Sequence, residues 1–204
     1  MRVMLIQQTP NPIETISTIA SICYDSDPKD DMALVQHLYK NGHHSVFEHI
    51  YFTFLIDGIS RACSHQLVRH RMCSFTQRSQ RYCSEDGFKV VYPPRIEDDD
   101  VSYYEYNDGI YQLRDSYDSL VKRCIPNEDA RYVLPNACET SLYLSCNLRE
   151  LIHICNERLC SKAQWEIRAL VNQMVELVHP DLRFMLVPKC KSGRIICHTK
   201  CYNE

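Results

Sequence analysis

Hydrophobic and polar positions along the chain follow two periods, which predict both strands and helices. Residues 2–7 and 141–146 resemble strands, and residues 50–56, rich in β-branched and aromatic side chains, give the clearest strand. Apolar side chains spaced by three and four positions predict a long amphipathic helix that packs against the core or another subunit. Its members are Tyr106, Ile110, Leu113, Tyr117, Leu120 and Cys124. Shorter helices are expected over residues 126–135 and 148–159.

Helix starts are marked by capping residues. Asn11-Pro12-Ile13-Glu14 combines a capping Asn, a Pro suited to the first helical position and a Glu that reaches back to the cap. Asp27-Pro28 repeats this opening for a helix that Gly42 ends in the left-handed conformation. Ser161-Lys162-Ala163-Gln164 predicts a capping box before the last long helix, which runs to about Val178.

The middle of the chain is expected to pass from a helix into a loop. Ser60 is suited to cap a helix that carries Gln66 and Arg69 on one face. We expect this helix to end near Arg71 and the loop to hold Ser74 to Ser79.

Strands and helices do not alternate regularly, which favours an α+β fold over a doubly wound parallel sheet. The 204 residues are long enough for one domain with a real core. We therefore expect a single domain over residues 1–204, with its core at about 20–180 and a short Cys-containing C-terminal tail.

Composition narrows the class of protein. The formal net charge of −3 argues against general nucleic-acid binding, which depends on a basic surface. The acidic run at residues 97–100 is expected to be a solvated loop. The N-terminal apolar run is too short for a signal peptide, and no apolar stretch approaches the roughly 20 residues of a membrane span. The twelve cysteines include no CxxC pair and suit a reducing cytoplasm.

A cysteine-rich tail raises the question of a metal. Cys190, Cys197, His198 and Cys201 do not have the spacing of structural zinc sites. We therefore predict no metal site and interpret these thiols as incidental.

Positive charge is concentrated in one short run. Arg69, Arg71, Arg78 and Arg81 lie within thirteen positions, and no acidic residue occurs between Asp57 and Glu85. A guanidinium presents a rigid fork of donors that matches phosphate oxygens. The run therefore predicts a site for an anion with several oxygens.

The same run resembles the signature of the flavin-dependent thymidylate synthases. Arg69-His70-Arg71 is followed after seven residues by Ser79. Upstream, residues 42–50 (GHHSVFEHI) are similar to that family's GHxSxxEH segment. Downstream, residues 130–135 and 163–167 follow in the expected order, so the resemblance spans about 23–178.

The resemblance implies a fold, an activity and an assembly. The fold is α+β, a mainly antiparallel sheet flanked by helices. The activity is the reductive methylation of dUMP to dTMP, with 5,10-methylenetetrahydrofolate as carbon donor and NADPH as reductant through FAD. The family's FAD lies between subunits of a homotetramer, so no Rossmann turn is required.

Site residues are carried over by position. The residues that match FAD contacts are Ser45, Glu48, Arg69, His70, Arg71, Asn147, Arg149 and His153. The residues that match dUMP contacts are Gln66, Arg69, Gln77, Ser79, Gln80, Arg81, Arg131 and Arg158. Arg158 matches the arginine at the pyrimidine ring, where a fixed guanidinium stabilises negative charge on the uracil carbonyls.

Several of these residues have plainer interpretations. Ser79 lacks an adjacent general base, so nucleotide binding is favoured over a nucleophile. His43 lies where the family has a histidine near the flavin, although a lone histidine is more often structural. Arg131 is also suited to a salt bridge with Glu128 or Asp129, and Arg158 to a surface pair in its helix. Glu48 is suited to a buried ion pair with one of the arginines of the Arg69-His70-Arg71 triplet. Departures from the family pattern occur at Thr76, Gln77, Gln80, His153 and Lys162.

Two other functions stay open at this point. His43, His44, Glu48 and His49 are the residue types of a metal-dependent phosphohydrolase acting on nucleotides. Residues 61–81 also carry the arginines and aromatics of a single-stranded nucleic-acid binder, against which the net acidity argues.

Overall fold

A computed structural model describes residues 1–23, 25 and 29–192 of the chain. Four strands form the sheet, namely β1 (Arg2–Gln8), β2 (Tyr51–Ser60), β3 (Ser74–Gln77) and β4 (Glu139–Asn147). The α-helices are α1 (Pro12–Ser21), α2 (Asp31–Lys40), α3 (Arg61–Leu67), α4 (Pro94–Glu97), α5 (Asp100–Lys122), α6 (Asn127–Ala130), α7 (Leu148–Arg158) and α8 (Trp165–Leu177). Short 3-10 segments cover His44–His49, Arg131–Val133 and Pro180–Met185.

The sheet has the order β1-β2-β4-β3, and every neighbouring pair is antiparallel. The long central pair runs from Tyr51 opposite Asn147 to Ser60 opposite Glu139. The register shifts at Gly58, whose φ of +69° is a backbone conformation that glycine adopts easily. The sheet and its helices confirm the α+β architecture expected from the sequence.

The core lies on one face of this sheet. Alternate residues of β2 point inward, among them the fully buried Phe54 and Ile56, and Leu142 and Leu144 of β4 join them. Buried side chains of α1, α7 and α8 cover this face. A second, smaller cluster packs α5 against the segment that includes Phe88 and Val90. This packing confirms the amphipathic helix, although only Ile110 and Tyr117 of α5 are fully buried. The predicted last member, Cys124, lies exposed beyond the end of α5 with a left-handed backbone.

Capping partly follows the sequence. Ser60 caps α3 as predicted, because its Oγ accepts a hydrogen bond from the Cys63 amide at 2.9 Å. Asn11 precedes α1, but its own backbone is left-handed (φ +43°) and its side chain makes no cap. Gln164 caps α8 with its side-chain oxygen at 3.1 Å from the Glu166 and Ile167 amides, so the predicted capping box at Ser161 is wrong.

Three boundaries also differ from expectation. The helix that carries Gln66 ends at Leu67 rather than near Arg71, because the Arg69 and His70 amides bond three residues back in tight turns. The expected loop at 74–79 begins with β3, which pairs with residues 142–145 of β4. The acidic run is not a plain loop, since Asp99 accepts from the Ser102 amide at 2.9 Å and caps α5.

Two predicted features fall outside the described residues. Asp27-Pro28 is one, and the structure starts α2 at Asp31 with Asp30 as its cap. The other is the tail at Cys197, His198 and Cys201, of which only the neighbouring Cys190 is described, as a buried thiol. Gly42 follows α2 with a φ of +79°, which confirms the predicted left-handed residue. Within the described residues, no helix combines the length and apolar character needed to cross a bilayer.

Candidate active site

Two direct strand-to-helix junctions position the site. β2 passes into α3 at Ser60, and β4 passes into α7 at Asn147. Because β2 and β4 are antiparallel, the two helices start at opposite ends of the strand pair, and their C-terminal ends meet. Arg158, the last residue of α7, reaches back so that its Nη2 lies 3.4 Å from the carbonyl oxygen of Gln66.

A buried histidine receives the same guanidinium. Arg158 Nε donates to His70 Nε2 at 3.0 Å. The neutral His70 ring therefore carries its proton on Nδ1, which lies 3.6 Å from a carboxylate oxygen of Glu150. Two residues separated by 88 positions, one in the arginine run and one in α7, are thereby joined in a single contact.

Burial controls the protonation of His70 and Glu150. Burial, and after it the positive charge of Arg158, lowers the pKa of His70 to about 4. Burial also raises the pKa of the Glu150 carboxyl above its ordinary value. His70 is therefore neutral at physiological pH and serves as an acceptor that holds Arg158 in place.

A cleft of about 490 Å³ opens beside this contact. Its lining residues are His44, Glu48, Met72, Asn147, Arg149, Glu150, Ile152 and His153. Glu48 and Arg149 form an ion pair across its rim. Asn147 caps α7 by accepting from the Glu150 amide at 2.9 Å. Because both side chains are about half exposed and the partner is Arg149, the alternative of a buried ion pair between Glu48 and Arg69 or Arg71 is wrong.

A second cavity of about 670 Å³ is lined by His65, Val68, Arg69 and Arg71. Both arginines are exposed. Neither guanidinium has an acidic partner among residues 1–23, 25 and 29–192. Two cations without a carboxylate neighbour are available to an anionic ligand.

Arg81 and Arg131 form a separate group around Glu128, whereas Arg78 of the arginine run pairs with the buried Glu85 at 3.2 Å. Arg81 Nη2 lies 3.1 Å from the Glu128 carboxylate, and Arg131 Nε donates to the Glu128 backbone oxygen at 3.1 Å. Ser79 Oγ accepts from the Arg81 amide at 3.2 Å. Arg131 thus contacts Glu128 through the main chain and not by the predicted salt bridge. Glu128 thus brings Arg81, which lies 47 positions away in the sequence, together with Arg131.

Other residues carried over from the family make internal or surface contacts. The Gln77 amide donates to Ser64 Oγ at 3.0 Å and to Thr140 Oγ1 at 3.2 Å. The amide of the buried Gln80 lies 3.8 Å from Cys138 Sγ. His43 and Ser45 are exposed at the helical turn that includes Glu48.

Sequence reasoning missed two residues of these groups. Glu150 is buried against His70, and its signal in the sequence is the Glu-x-x-His spacing to His153, which places both on one helix face. Tyr82 is 81% exposed and lies under Arg81, whose guanidinium carbon is 5.4 Å from the ring centroid. An exposed aromatic beside an arginine run is a signal for a binding surface.

The metal site of the phosphohydrolase hypothesis is not assembled. His44 stacks on Tyr39 with ring centroids 5.5 Å apart, and Glu48 pairs with Arg149. In the described part of the chain, the side chains close enough to share a metal are His70, Glu150 and His153 instead. None of these belongs to the four residues that the hypothesis requires.

Comparison with known proteins identifies the family. The model of the thymidylate synthase complementing protein family matches residues 4–182. A flavin-dependent thymidylate synthase from Geobacter sulfurreducens is 43% identical over 95% of this chain and 90% of its own length. One from Clostridium tetani is 35% identical over 95% of this chain and 89% of its own. The chain therefore belongs to the flavin-dependent thymidylate synthase family, and the resemblance in its sequence is confirmed.

Solved structures agree on the fold. A crystal structure of thymidylate synthase X from Helicobacter pylori with FAD and dUMP superposes with a TM-score of 0.78. It covers 94% of this chain and 99% of the other, at 24% identity. At that identity the comparison supports the architecture, while residue roles have to be argued from this chain.

Proposed function

We propose that this chain catalyses the reductive methylation of dUMP to dTMP, with 5,10-methylenetetrahydrofolate as carbon donor, NADPH as reductant and FAD as cofactor. The observation that carries the proposal is the contact of Arg158 with His70 at 3.0 Å. It joins the arginine run to α7 within a chain that belongs to the flavin-dependent thymidylate synthase family.

The residues present fit a flavin dinucleotide. Arg69 and Arg71 are exposed guanidinium groups beside a cavity, and they suit the pyrophosphate of FAD. Ser45, Glu48, Asn147, Arg149 and His153 supply polar groups at or near the adjacent cleft. When bound, the flavin supplies hydride transfer, a step that no side chain performs. The side chains of the protein bind and position the cofactor and the substrate and stabilise their charges.

The nucleotide phosphate suits the group around Glu128. A phosphate monoester carries close to two negative charges at neutral pH, whereas Glu128 offers Arg81 one. Arg81 and Glu128 are both about half exposed, so an incoming phosphate can displace the carboxylate without unburying a charge. Arg131 and the Ser79 hydroxyl lie beside Arg81 and add donors to the same anion.

Arg158 is the residue for the chemical step. Its two contacts, with His70 and with the Gln66 carbonyl, fix the direction of the guanidinium before substrate arrives. Negative charge that develops on the uracil carbonyls meets a cation that needs no reorganisation. Because His70 is neutral, it orients Arg158 without neutralising it. Removing one such charge-stabilising donor costs a factor of about 100 to 1,000 in rate.

The arginine groups of one chain are incomplete as a single pocket, which supports an assembly. Met72, Tyr82 and Tyr132 are 77–81% exposed beside Arg71, Arg81 and Arg131. Large exposed apolar side chains next to ligand-binding cations are typical of subunit interfaces. We therefore infer a homotetramer whose FAD sites lie between subunits.

Ten free thiols among the described residues suit a reducing cytoplasm.

The test is product formation by the purified chain. FAD-loaded protein with dUMP, 5,10-methylenetetrahydrofolate and NADPH is expected to form dTMP, detected by mass spectrometry. Arg158→Gln should abolish most of the product. Arg123→Gln is the matched control, because Arg123 is exposed after the last turn of α5 and outside the proposed site. No dTMP from flavin-loaded wild-type protein would overturn the proposal.

A further inference from the structure

Three potential metal ligands converge where α3 and α7 meet. The ligand atoms of His70, Glu150 and His153 all lie within 4.8 Å of one another. Glu150 and His153 are one helical turn apart on α7, so their side chains project from the same face. His70 comes from the turn after α3, and its ring centroid lies 5.5 Å from that of His153.

From this geometry we infer that His70, Glu150 and His153 form a binding site for a divalent transition-metal cation of the nickel and zinc class. Two imidazoles and one carboxylate are a ligand set that such cations accept, with solvent or another ligand in the open position. Binding of the cation goes beyond the proposed function and does not depend on it, whereas the consequence for activity given below rests on the proposed function.

The cluster needs little movement to close on an ion. Metal–ligand bonds of about 2 Å bring ligand atoms to about 3.3 Å from one another in a tetrahedron. His70 Nδ1 and Glu150 Oε1 are already 3.6 Å apart. These two residues are 5% and 8% exposed, so they are held by packing, whereas His153 is exposed at the cleft. A rotation of the His153 side chain therefore completes the set.

Metal binding and the Arg158 contact exclude each other. His70 Nε2 accepts from Arg158 Nε, which requires the proton on Nδ1. The nitrogen that faces Glu150 is Nδ1, and a metal there needs that proton to leave. In a neutral ring the proton then resides on Nε2, which no longer accepts from Arg158. A bound cation would also repel the guanidinium.

The site therefore has a consequence for activity. A cation at His70, Glu150 and His153 releases Arg158 from its position and lines the same cleft as the residues proposed for FAD. A metal bound at this site would therefore inhibit the reaction, and the contact of Arg158 with His70 opposes metal binding.

The experiment is a calorimetric titration of the purified chain with Ni²⁺. This metal is chosen because imidazole is a better ligand for it than the thiols that are abundant in the chain. Wild-type protein is expected to bind one ion at this site. His153→Asn should weaken that binding at least tenfold, while His65→Asn, which removes another exposed histidine, should leave it unchanged. Neither change touches a thiol, so their difference isolates the cluster from the cysteines.

The second arm tests the antagonism. Arg158→Gln should tighten Ni²⁺ binding at least tenfold, because the tautomer is released and one positive charge is removed. Thermal unfolding of each variant without metal checks that it is folded. Absence of Ni²⁺ binding in wild-type protein, or equal affinity in wild type and His153→Asn, overturns the site. Unchanged or weaker binding in Arg158→Gln overturns the exclusion between the metal and Arg158.

Discussion

Replacing Arg158 by glutamine is expected to raise the pKa of His70, because the guanidinium sits 3.0 Å from the imidazole nitrogen and opposes a second positive charge. The glutamine side chain is only slightly shorter than that of arginine, so it stays near the His70 ring, but it carries no charge. The substitution therefore removes an electrostatic cause while leaving most of the packing around His70 in place.

The structure sets the size of the change. The pKa of His70 is lowered from 6.5 to about 4, with burial as the larger cause and Arg158 as the next. Since burial is the larger cause and persists in the variant, part of the depression should remain, and we expect a rise of about one pH unit. We expect the His70 pKa in Arg158→Gln to lie between the wild-type value of about 4 and the ordinary histidine value.

Stability should follow with a defined sign. Between pH 6.5 and about 4, the unfolded chain binds the His70 proton and the folded chain does not. The free energy of unfolding is therefore highest above pH 6.5 and decreases as the pH falls through that range, because only the unfolded chain gains the proton. The loss is about 3 kcal/mol in wild type. It should be smaller by about 1 kcal/mol in the variant, because one pH unit of pKa difference is worth about that much free energy.

The assay is a histidine-ring NMR titration, with the His70 resonance identified by its absence in His70→Asn. Urea denaturation at several pH values gives the matching stability difference between wild type and Arg158→Gln. A His70 pKa that stays near 4 in the variant would refute the reasoning, since Arg158 would then not act on the ring. A value restored fully to 6.5 would equally show that burial is not the main cause.

Three further predictions concern separate contacts. Glu128→Gln frees Arg81 from its ion pair and should lower the KM for dUMP about three- to tenfold; a raised KM contradicts the proposed phosphate position. Ser79→Ala should keep kcat within about tenfold, because a ligand-binding hydroxyl costs far less than a nucleophile; a loss of several orders of magnitude means that Ser79 attacks the substrate. Glu166→Ala removes the buried acceptor of the Ser60 amide (2.7 Å) and hydroxyl (2.6 Å) and should lower the free energy of unfolding by about 3 kcal/mol in urea titrations, since each orphaned donor costs about 1–3 kcal/mol; a loss below about 1 kcal/mol would contradict the role of this contact.

Local features of the fold were accessible from the sequence. β2 was visible from its β-branched and aromatic residues, and α5 from apolar side chains at helical spacing. Ser60 was identified as a cap because the hydroxyl that accepts from Cys63 lies only three positions away. In each case the residues that form the contact are neighbours in sequence.

Long-range contacts set the features that were missed. β3 exists because Ser74–Gln77 finds a partner in residues 142–145, and nothing within the four residues specifies that pairing. Gln164 caps α8 with a long side chain that short-range capping rules rank below Ser161. Likewise, Glu166 ties α8 to the start of α3 across 106 positions, a contact that no local pattern predicts.

The same distinction between local and long-range contacts applies to the candidate site. The anion-binding character of the arginine run follows from residue type alone, and the family resemblance added Arg131 and Arg158 by position. That Arg158 rests on a neutral His70, and that Glu150 lies behind that ring, follows only from the packing of α7 against the turn after α3.

In the proposed function, the arginines hold a flavin and a nucleotide so that a hydride can pass to dUMP. The most direct measurement is the visible spectrum of the purified protein during anaerobic titration with NADPH, with and without dUMP. We expect a yellow protein that NADPH bleaches, together with dTMP once 5,10-methylenetetrahydrofolate is added. A colourless protein that cannot be reconstituted with FAD would contradict it.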